Sequence, residues 1–140
     1  MVVWRGNLIQ ATAGLTALGI VMKLPGPDHP ITIEPNPKRV RVTFAGRIIA
    51  DSRRAFTLRE TTYKPALYIP REDADMSLLE RSAHATYCPY KGDAAYYSIR
   101  VADRLGQDAA WTYERPYPAV ADIAGRLAFY RERVDLIEEI

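Results

Sequence analysis

The sequence predicts a mainly β domain (α+β overall) whose antiparallel strands close into a partial barrel or sandwich, with two short helices. Three observations lead there. Residues 39–44 alternate without a break: Val40, Val42 and Phe44 fall on one side, Arg39, Arg41 and Thr43 on the other, as in a half-buried antiparallel strand. Turn signals built on Gly, Pro and Asp recur about every ten residues after that strand. No strand alternates with a long helical pattern, which argues against a βαβ protein.

Composition sets the frame. The chain has 140 residues, enough for one domain, with 48% hydrophobic and 26% charged residues, a balance suited to a packed core. Its single Cys excludes an intrachain disulfide framework and a multi-Cys zinc site, and two His leave little for a His-rich metal centre. No cofactor is implied. A net charge of +2 does not announce a nucleic-acid binder. The expected location is cytoplasmic.

The elements follow in order. Residues 1–23 form an N-terminal extension, apolar from Leu8 onward but weakened by Gly14 and Gly19 and shorter than the roughly 20 apolar residues of a membrane span. It reads as an extension preceding an alternative start at Met22, as an added helix or as a targeting segment. Residues 24–37 hold five of the ten prolines and form an irregular, semi-extended arm, in which Ile31 and Ile33 alternate with Thr32 and Glu34 and could pair briefly at an edge. Residues 38–140 are the β-rich domain. Ala45 and Gly46 turn the first strand back into residues 47–51, a hairpin. Residues 54–60 form another strand, and residues 65–70, bounded by prolines, a short edge strand. Residues 73–81 suit one or two helical turns capped by Asp73, with Met76 and Leu79 inward. Residues 86–88 are extended, Lys91, Gly92 and Asp93 mark a turn, and strands follow at 95–101 and 109–113. Residues 118–126 suit a short helix with Pro118 near its start, residues 127–130 a last strand, and residues 134–140 either a strand or a helix.

These residues also carry a family resemblance. Val40, Arg41, Val42, Thr43, Phe44, Ala45 and Gly46, then Glu60 and Thr61, then Tyr68, Ile69, Pro70 and Arg71, resemble the bacterial family called domain of unknown function 427. So does the string Thr86, Tyr87, Cys88, Pro89, Tyr90, Lys91, Gly92, with Tyr96, Tyr97, Trp111 and Phe129 behind it. The resemblance spans about residues 30 to 137. It implies a fold similar to the β-tent group of small open-barrel domains, some of which bind ligands in an aromatic cleft. Other members carry zinc, which the single Cys does not suit. The family is sometimes carried under a nucleotidyltransferase label. Such chemistry needs clustered carboxylates for a metal and a phosphate-cradling loop. The one close pair, Asp73 and Asp75, reads better as helix-capping acids, and no Gly-rich phosphate loop is present.

The richest constellation is aromatic. Six of the nine tyrosines lie between Tyr87 and Tyr117, around Trp111. Strand alternation splits them between two faces, one able to pack a core and the other to line a cleft for a small molecule. Tyr90, Tyr96 and Trp111 are the expected walls, Lys91 and Glu60 the polar handles, and His84 and Cys88 positioning groups. Lys91 suits an anionic group. A Cys88 and His84 nucleophile–base pair would serve a thiol-dependent or group-transfer enzyme. It requires a turn between them, because four extended residues hold them roughly 13 Å apart. A third reading is weak binding of nucleic acid or another anionic partner by Lys38, Arg39, Arg41, Arg47, Arg53, Arg54 and Arg59, among which Asp51 is the one acid. No aromatic interleaves with Arg39 and Arg41, so a solvated, edge-protecting face explains them better. Small-molecule binding is the leading expectation, and a membrane partner is not expected.

Overall fold

The computed structural model describes residues 21–140. All expectations for residues 1–20 lie outside the described residues. Among the described residues, ten strands form three antiparallel sheets. β1 (Ile31–Pro35), β4 (Phe56–Glu60) and β5 (Ala66–Tyr68) make the first, in the order β1-β4-β5. β2 (Val40–Phe44), β3 (Arg47–Ser52) and β10 (Leu136–Glu139) make the second, with β2 central. β6 (Leu79–Cys88), β7 (Gly92–Val101), β8 (Arg104–Thr112) and β9 (Leu127–Phe129) make the third, in chain order. The barrel is open: among the described residues no strand of one sheet is laddered to another sheet, and a single bridge, Ile69 to Leu127, links the end of β5 to β9.

Along β7 and β9 the third sheet carries a core on each face, while β6 at its edge is largely exposed, and this organises the molecule. Along β9, Leu127 and Phe129 pack with Val40, Val42 and Ile49 of the second sheet, while Ala128 between them packs with Ile31, Ile33 and Leu58 of the first. Along β7, Tyr97, Ile99 and Val101 join the first of these cores, and Ala94 and Tyr96 the second. The period-two geometry of a strand thus feeds two separate cores from one sheet.

The hairpin of β2 and β3 turns at Ala45 and Gly46, both with positive φ. Residues 134–140, open between strand and helix in sequence, supply β10 against β2. On the outer face of this sheet the basic residues are matched by acids. Arg39 Nη2 lies 2.6 Å from Asp51, and Arg41 sits between Asp51 and Glu138. The proline-rich arm contributes β1, registered so that Ile31 faces Glu60 and Ile33 faces Leu58. Both isoleucines are fully buried.

Two local expectations need correction. The segment 73–81 does not form one capped helix. It makes two 3-10 turns, Arg71–Asp73 and Met76–Leu78, because β3 recruits the backbone between them: Ala74 bridges Ala50, and Asp75 N donates to Ile49 O. The cap is Asp75, which accepts from Ser77 N, whereas Asp73 accepts from Ser52 Oγ at 2.7 Å and from Arg54. Leu79 then opens β6, a strand far longer than the extended residues 86–88 suggest. Its pairing with β7 lapses between Arg81 and Ala85, where Ser82 Oγ accepts from His84 N. Most β6 side chains face solvent, so the strand lacks the apolar alternation that would reveal it. The second expected helix is a 3-10 segment, Pro118–Ile123, interrupted at Val120.

Replacement of Ile33 by Ala tests whether the arm belongs to the core. A buried aliphatic side chain cut back to Ala costs about 2–5 kcal/mol. Denaturant unfolding of Ile33→Ala is expected to show a loss in that range, and a change below about 0.5 kcal/mol would mean that the arm rests on the surface.

Candidate functional site

A cavity of about 520 Å³ opens where the three sheets meet. Val40, Val42 and Ile137 line it from the second sheet, and Leu58, Ala66 and Tyr68 from the first. Tyr96, Trp111 and Phe129 come from the third, with Tyr113 and Tyr130 beside them. Its size lies within the range of small-molecule sites, and its walls are apolar and aromatic. Trp111 stands edge-on to Tyr68 and tilted against Tyr130, with ring centroids 6.2 and 4.5 Å away. Its indole N–H donates to the Tyr68 hydroxyl at 3.1 Å. Burial pushes the phenols of Tyr68, Tyr113 and Tyr130 well above their ordinary range, so these walls stay neutral at physiological pH.

The charged members of the inner wall are Glu60 and Lys91. Lys91 follows β6 in the tight turn before β7: Lys91 N donates to Cys88 O, and Gly92, at φ 105°, starts the return. A side chain at Gly92 would be strained there. Lys91 Nζ reaches Glu60 Oε1 at 2.5 Å and lies 3.6 Å from Cys88 Sγ. The other carboxylate oxygen of Glu60 meets His29 Nε2 at 2.6 Å. Burial alone would raise the Glu60 carboxyl; hydrogen bonds from Lys91 and His29 outweigh it and hold the group below the usual carboxylate range.

Of the seven residues that the sequence singles out, Glu60, Lys91, Tyr96 and Trp111 line this cavity. Cys88 lies behind it, touching Lys91. Tyr90 is turned away: its ring stacks on His29, centroids 3.8 Å apart, beside Met22, Leu24 and Pro27 in a separate shallow hollow. His84 lines another hollow with Arg81, Asp93 and Glu114, and its ring packs against Tyr96, centroids 4.4 Å apart. No turn folds β6 back between residues 84 and 88, so His84 and Cys88 do not form a nucleophile–base pair. Lys91 is no free handle for an anion, because Glu60 already balances it. Sequence reasoning missed His29, Tyr63, Lys64, Tyr68, Tyr113, Tyr130 and Arg131. The register of β1 on β4, which sets Ile31 opposite Glu60 and brings His29 beside it, is the signal that would have found the first. Asp73 and Asp75 do not converge, and among the described residues no three His, Cys, Asp or Glu side chains cluster as metal ligands would.

Two outcomes check this geometry. Glu60→Gln leaves the Lys91 charge buried without a counter-charge and is expected to cost roughly 3 kcal/mol at neutral pH. Because Glu60 titrates lower when folded, its contribution is complete above the ordinary carboxylate range and is lost as pH falls through its lowered value. The difference between wild type and Glu60→Gln in urea unfolding should therefore shrink on acidification; a pH-independent difference refutes the pairing. For the thiol, His84→Ala is expected to leave the rate of Cys88 alkylation by iodoacetamide unchanged, and a slowed reaction would restore the dyad.

Among the described residues, no helix is long and apolar enough to cross a membrane. No curated protein matches the chain. A family model described as domain of unknown function (DUF427) matches residues 32–140, from the second residue of β1 through β10. Strand register, the buried Glu60 and Lys91 pair and the tyrosine-lined cavity all fall within that span, and the chain belongs to the DUF427 family.

Proposed function

We propose that the protein binds a small molecule in the cavity between its three sheets. The observation that carries this reading is the wall of Trp111, Tyr68, Tyr96, Tyr113 and Tyr130 around about 520 Å³, closed on its inner side by a neutralised ion pair. Aromatic rings give a flat or apolar ligand large contact at low entropic cost, and the neutral phenols and the Trp111 indole supply polar contacts at their edges. The charge balance of Glu60 and Lys91 leaves the interior without a lone buried charge to repel an apolar ring. A thiol-dependent enzyme is less well supported, since Cys88 has no base beside it and Lys91 is committed to Glu60. Nucleic-acid binding is also less well supported, since Arg39, Arg41 and Arg54 are engaged by Asp51, Glu138 and Asp73.

Binding of the neutral dye Nile red tests the cavity directly. Its emission is expected to rise on titration with the protein. Ala66→Trp, which fills the cavity from β5, should abolish the rise, whereas Ile48→Ala on the outer face of β3 should preserve it. A rise insensitive to Ala66→Trp, or none with wild type, refutes the reading.

A further inference from the structure

We infer that the molecule received by this cavity carries an acidic group, a carboxylate or a phosphate, held by Lys64 and Arg131 at the cavity's outer side. The inference rests on the binding role proposed above. The inner wall offers an anion no unmatched positive charge: Lys91 is matched by Glu60, and the buried phenols are neutral. Lys64, in the loop between β4 and β5, and Arg131, in the 3-10 turn Arg131–Arg133 after β9, are exposed. Both line the cavity and also a second hollow of about 400 Å³, so they stand where the two meet.

Among the described residues neither side chain makes a hydrogen bond or an ion pair. Five other arginines, Arg39, Arg54, Arg81, Arg100 and Arg104, each lie within 3.0 Å of a carboxylate oxygen. Lys38 and Arg59 line the second hollow, also without an acidic partner among the described residues. The acids lining these two spaces are Glu60, already bonded to Lys91 and His29, and Glu132 at the cavity, and Glu34 and Glu139 at the hollow, where Glu139 accepts from the Asn36 amide at 2.9 Å. A cationic edge beside an aromatic wall fits a ligand with a ring at one end and an acid at the other. Arg131 offers a planar fork for two oxygens, and Lys64 a mobile point charge.

The test holds the ring constant and varies the charge. Indole-3-acetate, indole and tryptamine are titrated into the ¹⁵N-labelled full chain, and the indole N–H signal of Trp111 is followed. Indole-3-acetate is expected to bind about five-fold or more tightly than indole, and tryptamine more weakly than indole, as one exposed charge contact allows. The Lys64→Ala/Arg131→Ala double variant, altered at exposed positions, should erase the preference while binding indole within about two-fold of wild type. Equal binding of indole-3-acetate and indole, or a preference that survives in the double variant, overturns the acidic group and leaves the cavity reading intact. No response of Trp111 to any of the three overturns both. Phenyl phosphate against phenylacetate then decides the head group: a preference for either that the double variant removes supports the inference and names the anion, and insensitivity of both to the double variant overturns it.

Discussion

A lysine 7% exposed in a small β protein is tolerable only with a partner, and Glu60 is that partner for Lys91. The pair spans two sheets. Glu60 ends β4, and Lys91 sits in the turn joining β6 to β7, so the bond clamps the first sheet against the third. His29 completes the clamp from the arm, taking the second carboxylate oxygen while its ring covers Tyr90. Remove the carboxylate and the turn, the arm and the inner wall of the cavity lose their common anchor. The same bond keeps the cavity electrically quiet, which an apolar or aromatic guest requires.

A second constraint acts beside it. Along β7 and β9 the four-stranded sheet is covered on both faces, so the alternating side chains there cannot divide simply into a packed side and an open one. Tyr97 goes to one core, where its hydroxyl accepts from Arg71, and Tyr96 goes to the other. The cavity survives at the junction, where three twisted sheets meet without closing into a barrel and their side chains cannot fill the space. Open sheets leave edges, and β6 is one. Its lapse in pairing near residues 82–84 and its exposed Glu80, Arg81 and His84 make it a poor template for another strand.

Much of the architecture was legible in the chain because it depends on local physics. Val40, Val42 and Phe44 declare their inward face by alternation, Ala45 and Gly46 declare the turn, and Pro65 and Pro70 confine the short strand between them to an edge. The strand β6 was illegible because its side chains are mostly solvated and carry no apolar period. The helix expected over residues 73–81 failed because β3 competes for its backbone, a contact made by residues more than twenty positions away. For the site, aromatic enrichment pointed to Tyr96 and Trp111, and a strand end and a glycine turn pointed to Glu60 and Lys91. The same enrichment misled at Tyr90, whose partner ring comes from the arm.

The class of fold, the family, the first hairpin and the aromatic character of the region that forms the cavity can all be read from the order of the residues. All of these follow from period-two patterning, turn chemistry and residue type, which act over a few neighbours. It took the folded chain to show that Lys91 is spent on Glu60, that His84 and Cys88 stay apart on one extended strand, and that Lys64 and Arg131 find no partner among the described residues beside the cavity. Those outcomes depend on which charges are brought within a few ångströms by strands distant in the chain, and electrostatic pairing at that range is set by register and packing rather than by spacing along the sequence.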